Sequence, residues 1–258
     1  MFQGCTTENT QVAFDALNKI GFDWDYHDRP RTGVLRHVSK SGDVLFTVRA
    51  GTQRQMDVFT IRKLADIGDD FADGHVRFTT RSNIEYMVTD EAKVAPMIVA
   101  LEAEGFPVGG TGASVLMISH TQGWLHCDIP GTDASGVVKG MMDMLHKEFV
   151  QEKMPNRLRI TTSCCQINCG GQGDIAINVQ YTKPPNNAPH WPEVKEVVGR
   201  IVKAYKSDAK HWERMGEWID RIGWNGFFEM TELTFTKHHL DTWTGARKTI
   251  NTSAHLHF

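Results

Sequence analysis

The chain has 258 residues, 40% of them hydrophobic and 23% charged, so it can bury a sizeable core and is not globally disordered. Lys and Arg number 28 against 31 Asp and Glu, a net charge of −3, which argues against a general nucleic-acid binder. No run approaches the roughly 18 apolar residues of a membrane span, and the opening MFQGCTTENTQ lacks the basic and apolar regions of a secretory signal, so the expected compartment is the cytoplasm.

Residues 1–30 read as an amphipathic start followed by the aromatic, polar stretch GFDWDYHDRP. GDVLFTV (42–48) alternates and is rich in β-branched residues, which predicts a strand. VFTIRKLADIGDDF (58–71) carries apolar residues at i, i+3, i+4, i+7 spacing and predicts a helix. HVRFTT (75–80) and IEYMV (84–88) predict two strands, and 92–104 a second helix closed by Gly105. This order fits an α+β fold, with mixed or antiparallel sheets and helices on one face.

The glycine-rich GFPVGGTGASV follows, and its GGTG lacks the spacing of a dinucleotide fingerprint. A helix is expected within 132–153, where Met141, Met142 and Met144 fit core packing better than a ligand role. Strands are expected at 158–162 and 173–180. TKPPNNAPHWPE is the best candidate linker, and 192–223 is strongly helical, as two helices. The expected segments are 1–115, 116–185 and a C-terminal helical segment 186–258.

Five cysteines stand at 5, 127, 164, 165 and 169, three of them within six residues. In a reducing compartment disulfides are not expected, so such a cluster points to metal or catalysis. Cys127, Cys164, Cys165 and Cys169 supply the four thiolates of a [4Fe–4S] cluster. Gly170 and Gly171 would allow close backbone approach. Zinc is the alternative, although it favours paired C-x2-4-C knuckles and adjacent cysteines suit it poorly. Unliganded thiols are the third possibility, and Cys5 reads as a free thiol.

Arginines form the second signal. Arg49, Arg54, Arg81, Arg157 and Arg159 are expected at strand edges or turns. Arg157 and Arg159 alternate on a strand that runs into the cysteine loop, so they share one face. Two cations beside a metal loop suit an anionic ligand; ordinary surface arginines on a solvated edge strand would look the same.

TTSCCQINCGGQGDIAINVQ and SHTQGWLHCDIPGTDASGVVK, with RTGVLRHVSKSGD, VRAGTQRQMD, HVRFTTRSNIEYMV and WERMGEWIDRIGW, carry a resemblance over nearly the whole chain. It is to the sirohaem sulfite/nitrite reductase superfamily, and within it to the dissimilatory-type β subunits. The superfamily pattern is C-x5-C…C-x3-C. Cys127 fits the second cysteine, Thr121 stands where the first would be, and Cys164 looks like its replacement.

The resemblance implies a sirohaem bridged through Cys169 to the cluster, and six-electron reduction of sulfite to sulfide. It implies Arg81, Arg157 and Arg159 as substrate cations. Arg49, Arg54, His120, Thr121, Gln122, His126 and Asn168 become candidates for holding the sirohaem carboxylates. It also implies an α-subunit partner in an α2β2 assembly, active sites shared between chains, and a small electron or sulfur carrier protein. One departure is expected: the ferredoxin domain that family members insert after the TKPP segment has no counterpart, because TKPPNNAPHWPE joins the flanks directly. A non-catalytic iron–sulfur redox sensor or assembly protein derived from the family is the competing function.

Overall fold

A computed structural model describes residues 24–121, 133–164, 173–178 and 191–234. The chain divides into two compact units, Met1–Gly112 and Ala113–Phe258.

In the first unit, β1 (Trp24–Arg31), β2 (Val34–Ser39) and β3 (Val44–Gly51) are followed by α1 (Val58–Phe71), β4 (Val76–Phe78), β5 (Asn83–Val88) and α2 (Glu91–Ala103). The sheet order is β1-β2-β3-β5-β4, antiparallel throughout. Alternation sends Phe46, Val48 and Ala50 of β3 and Ile84, Tyr86 and Val88 of β5 into one core with Leu64 and Ile67 of α1 and Met97, Ile98 and Leu101 of α2. Full burial of each large apolar side chain contributes about 1.5–3 kcal/mol. Asp57 caps α1 by accepting from Thr60 N, and Asp90 caps α2 by accepting from Ala92 N.

The glycine-rich segment after α2 is a strap along the sheet, not a nucleotide loop. Gly51 N donates to Pro107 O, Gly109 N donates to Arg49 O, and Gly33 N donates to Thr111 Oγ1 at 2.7 Å. Gly33 has φ +83°, and a Cβ there would lie 2.6 Å from Gly109 N, so only glycine lets the β1–β2 turn and the strap meet.

On the β1–β2 side of the sheet, His37 Nδ1 and His27 Nδ1 lie 2.8 Å apart, and His37 Nε2 meets Thr47 Oγ1 at 2.9 Å. One of the two Nδ1 atoms must donate and the other accept, so protonating both rings breaks the contact. Burial, then the neighbouring His27 and Arg77, hold the His37 pKa below the ordinary histidine value. The folded state therefore takes up this proton at lower pH than the unfolded chain, which protonates near 6.5. Stability is expected to fall as pH drops below about 6.5 and to level off below the folded pKa. Urea midpoints measured from pH 7.5 to 5 check this: His37→Gln should flatten the slope, and an identical slope in the variant would refute the assignment.

The second unit contains β6 (Ser119–His120), α3 (Ala134–Met144), α4 (His146–Val150), β7 (Ile160–Ser163), β8 (Ile175–Asn178), α5 (Pro192–Asp208) and α6 (Met215–Thr231). Its sheet, β6-β7-β8, is parallel. The expected helix within 132–153 is two, because Leu145 leaves helical geometry between α3 and α4. Of its methionines Met141 is fully buried, whereas Met144 is exposed. The helices of 192–231 share one core with the strands: Val198, Val202, Tyr205 and Trp218 pack with Leu158, Ile160, Val137 and Met141. Trp191 is buried at the head of α5, with Pro192 in its first turn. Trp218 Nε1 donates to Asp208 Oδ2 at 2.9 Å, and Arg221 also bonds Asp208; both contacts hold that carboxyl below its usual pKa. Among the described residues no helix is long and apolar enough to cross a membrane.

Candidate functional site

The strand that leads into the cysteine loop is central. β7 lies between β6 and β8, so Arg157 and Arg159 flank a middle strand and not the solvated edge allowed for above. Leu158 and Ile160 face the core with α3, and alternation turns Arg159 and Thr161 to the other face. Arg157 is exposed and Arg159 half-buried.

Cys164 ends this strand with 2% of its surface exposed. Its backbone N–H donates to Thr121 Oγ1 at 2.9 Å, across 43 residues, and Thr121 N in turn donates to Thr162 O at 3.2 Å. The structure thus brings together two of the positions singled out in the sequence. His120 pairs with Thr162 across the β6–β7 ladder, and its Nδ1 lies 2.7 Å from the Thr121 carbonyl. Cys127, Cys165, Cys169, Gln122, His126 and Asn168 lie outside the described residues, as do Cys5 and most of the TKPPNNAPHWPE segment.

β7 also carries buried polar atoms that sequence reasoning passed over. Thr161 and Thr162 are 1% and 0% exposed, and among the described residues neither hydroxyl has a hydrogen-bond partner; nor does the buried Arg159 Nε. An unsatisfied buried donor costs about 1–3 kcal/mol, and most buried polar groups are paired. The signal available in the sequence was the run R-I-T-T-S, too polar for a fully buried parallel strand.

In the first unit, Arg49 sits within β3, two strands from either edge of the sheet, rather than at an edge or turn. Its Nε donates to Glu85 Oε1 at 2.6 Å, its Nη2 lies 2.5 Å from the same oxygen, and its Nη1 donates to Gly110 O at 2.6 Å. Glu85 is 1% exposed and also pairs with Arg77. Arg49 is therefore committed to the sheet and the strap; burial lowers its pKa. Arg81 occupies the β4–β5 turn. Thr52 Oγ1 donates to Ser82 O at 2.5 Å, tying that turn to the loop that carries Arg54.

The chain matches two family models: the nitrite/sulfite reductase ferredoxin-like half domain over residues 37–104, and the nitrite and sulphite reductase 4Fe-4S domain over 173–239. The first falls on the five-stranded unit and the second begins beside β8, which places the chain among nitrite and sulfite reductases. It is 32% identical to the dissimilatory-type sulfite reductase subunit beta of Archaeoglobus fulgidus, over 84% of this chain and 87% of that one. It is 31% identical to the Nitratidesulfovibrio vulgaris subunit beta, over 84% and 85%. The Megalodesulfovibrio gigas subunit beta is 44% identical over 66% of this chain and 68% of its own.

The chain belongs to the dissimilatory-type sulfite reductase beta-subunit family. In fold it resembles a crystal structure of dissimilatory sulfite reductase I, with a TM-score of 0.74 and 11% identity over 91% of this chain and 82% of that one. It also resembles the NirA protein of Mycobacterium tuberculosis, with a TM-score of 0.57 and 15% identity over 73% and 40%.

The described residues fit the 4Fe-4S group that the second family model names, and an anionic tetrapyrrole beside it. They supply a buried thiol at a strand end, a hydroxyl fixing that residue's backbone, and buried donors on the same strand without acceptors. Gly173 adds a close approach: a Cβ there would lie 3.1 Å from Thr161 Cγ2 and 2.8 Å from Arg159 O.

Proposed function

We propose that this chain is the catalytic β subunit of a sulfite reductase that converts sulfite to sulfide with six electrons and six protons, at a sirohaem–[4Fe–4S] centre shared with an α subunit. The observation that carries the proposal is the bond from Cys164 N to Thr121 Oγ1. It sets the extra cysteine of the C-C-x3-C run beside the position where the superfamily's first cysteine would stand. Cys127, Cys164, Cys165 and Cys169 would then hold the cluster, and Cys169 would also serve the sirohaem. When bound, the sirohaem and its cluster supply the electron transfer.

The chain's own residues bind and orient. Thr121 fixes the backbone that presents the Cys164 thiolate. Arg81, Arg157 and Arg159 offset the charge of sulfite, and charge-assisted hydrogen bonds of this kind are the strong ones. Arg54, His120, Thr121, Gln122, His126 and Asn168 serve the sirohaem carboxylates. Arg49, engaged by Glu85 and Gly110, holds the strap.

The half-core size of the chain supports pairing with an α subunit, and the resemblance makes the assembly α2β2. Its fold matches 40% of the longer NirA chain, in keeping with a core made of two halves. Electrons enter through a separate carrier in the cytoplasm, because the inserted ferredoxin domain is missing. In support, the alignment to the A. fulgidus relative runs over 317 positions, more than this chain's 258 residues, so that relative carries stretches without counterpart here. The test is sulfite-dependent oxidation of a reduced viologen by the chain co-purified with its partner. Six electrons consumed per sulfide formed is the expected result; viologen oxidation without sulfide would overturn it.

A further inference from the structure

We infer that His27 and His37 clamp a divalent late transition-metal ion, Ni²⁺ or Cu²⁺, and that the ion pins β1 to the sheet. The two residues stand directly opposite each other in the β1–β2 ladder. Their Nδ1 atoms lie 2.8 Å apart, with ring centroids 4.9 Å apart. Two nitrogens each about 2.0 Å from a metal stand about 2.8 Å apart at neighbouring corners of a square plane, and about 3.3 Å apart in a tetrahedron. The observed spacing is the square one, which suits Cu²⁺ and Ni²⁺ rather than Zn²⁺.

A second observation concerns the far nitrogen of His37. A metal-binding imidazole ordinarily donates its other N–H to a fixed acceptor, which sets the tautomer and the ring direction. His37 Nε2 meets Thr47 Oγ1 at 2.9 Å, and Thr47 is a buried residue of the adjacent strand β3. With that hydroxyl accepting from Nε2–H, the lone pair of His37 Nδ1 is directed at His27, and in the metal-free protein His27 Nδ1–H donates to it. Metal binding breaks this N–H···N contact, forms two N–metal bonds and moves the His27 proton to Nε2. Both rings stay neutral and no proton is lost overall. His27 is exposed, so water can carry the exchange.

The surroundings hold the pair in place. The Trp24 ring flanks both imidazoles, with centroids 5.6 Å from each. Arg77, the cation that acts on His37, is paired with Glu85. Among the described residues no third histidine, cysteine or carboxylate completes a cluster, so water takes the remaining positions and the ion exchanges. β1 is an edge strand whose pairing with β2 contains two register shifts, so a clamp across the two strands has a weakly specified register to fix.

The experiment titrates Ni²⁺ alone into the full chain purified with its partner subunit, read by calorimetry and by hydrogen exchange of the β1 amides. The variants are His27→Gln, His37→Gln and the double substitution. Neither residue has a place in the proposed redox centre, so this test stands whether or not that reading holds, and β2–β3 amide protection without metal reports that each variant is folded. The wild type should take up one Ni²⁺ that slows exchange in β1. Each single variant should bind that ion at least about tenfold more weakly, the smallest loss expected when a metal's ligand shell is disturbed. The double variant should be no worse than either single one, because the clamp needs both rings. Unchanged Ni²⁺ binding in His27→Gln, the exposed and structurally safer variant, would overturn the inference. So would a loss confined to His37→Gln, or tighter binding of Zn²⁺ than of Ni²⁺ by the wild type.

Discussion

Replacing Cys169 by serine is expected to remove the iron–sulfur cluster and the sirohaem together. Cluster irons take soft thiolate ligands, and a serine oxygen is a harder, poorer substitute. Four thiolates are available from Cys127, Cys164, Cys165 and Cys169, so none is spare. If Cys169 is also the bridge to the sirohaem iron, its loss detaches both groups, and sulfite reduction falls to background. Cys165→Ser should behave likewise, whereas Cys5→Ser should keep both groups. Iron, acid-labile sulfide and the tetrapyrrole absorbance of purified variants check this. Full sirohaem occupancy with unchanged activity in Cys169→Ser would remove the bridging role.

The second large effect concerns stability. Glu85 is a buried carboxylate held by Arg49 and Arg77 on the face of the sheet opposite α1 and α2. Breaking a buried ion pair by removing one partner costs about 3–5 kcal/mol, because the other charge is left uncompensated. Glu85→Ala strands Arg49, whose side chain is only 22% exposed, and frees it from the position in which it grips the Gly110 carbonyl. A loss of that size in urea denaturation is expected. Arg77→Ala should cost under about 1 kcal/mol, since the Arg77 side chain is 63% exposed and such contacts are solvent-screened. Comparable losses in the two variants, or a loss below 1 kcal/mol in Glu85→Ala, would contradict this account.

Much of the fold was legible because its helices and inner strands have strong period. The helix expected at 58–71 is α1 to the residue, and α2 begins one residue before the expected 92. β1 and β2 were missed because WDYHDRPR and VLRHVS bury little on one face, and β1 pairs with two register shifts that break the alternation. The strap was missed because its bonds run to β3 and the β1–β2 turn, far away in sequence. At the site, the cysteine spacing and the resemblance named four candidate thiolates, of which Cys164 lies among the described residues. The buried donors Thr161, Thr162 and Arg159 Nε, and the Glu85–Arg49 pair, emerge only from packing, since a threonine or glutamate in a strand looks solvent-facing until a second layer covers it.

The central claim is that the four cysteines hold a cluster coupled to a sirohaem. Anaerobic purification of the full chain with its partner subunit, followed by quantitation of iron, acid-labile sulfide, zinc and tetrapyrrole, tests it most directly. The account predicts a sirohaem absorbance spectrum together with about four cluster irons and four sulfides per centre. Iron and sulfide without any tetrapyrrole would make the protein an iron–sulfur sensor or assembly factor and contradict the account, and so would stoichiometric zinc.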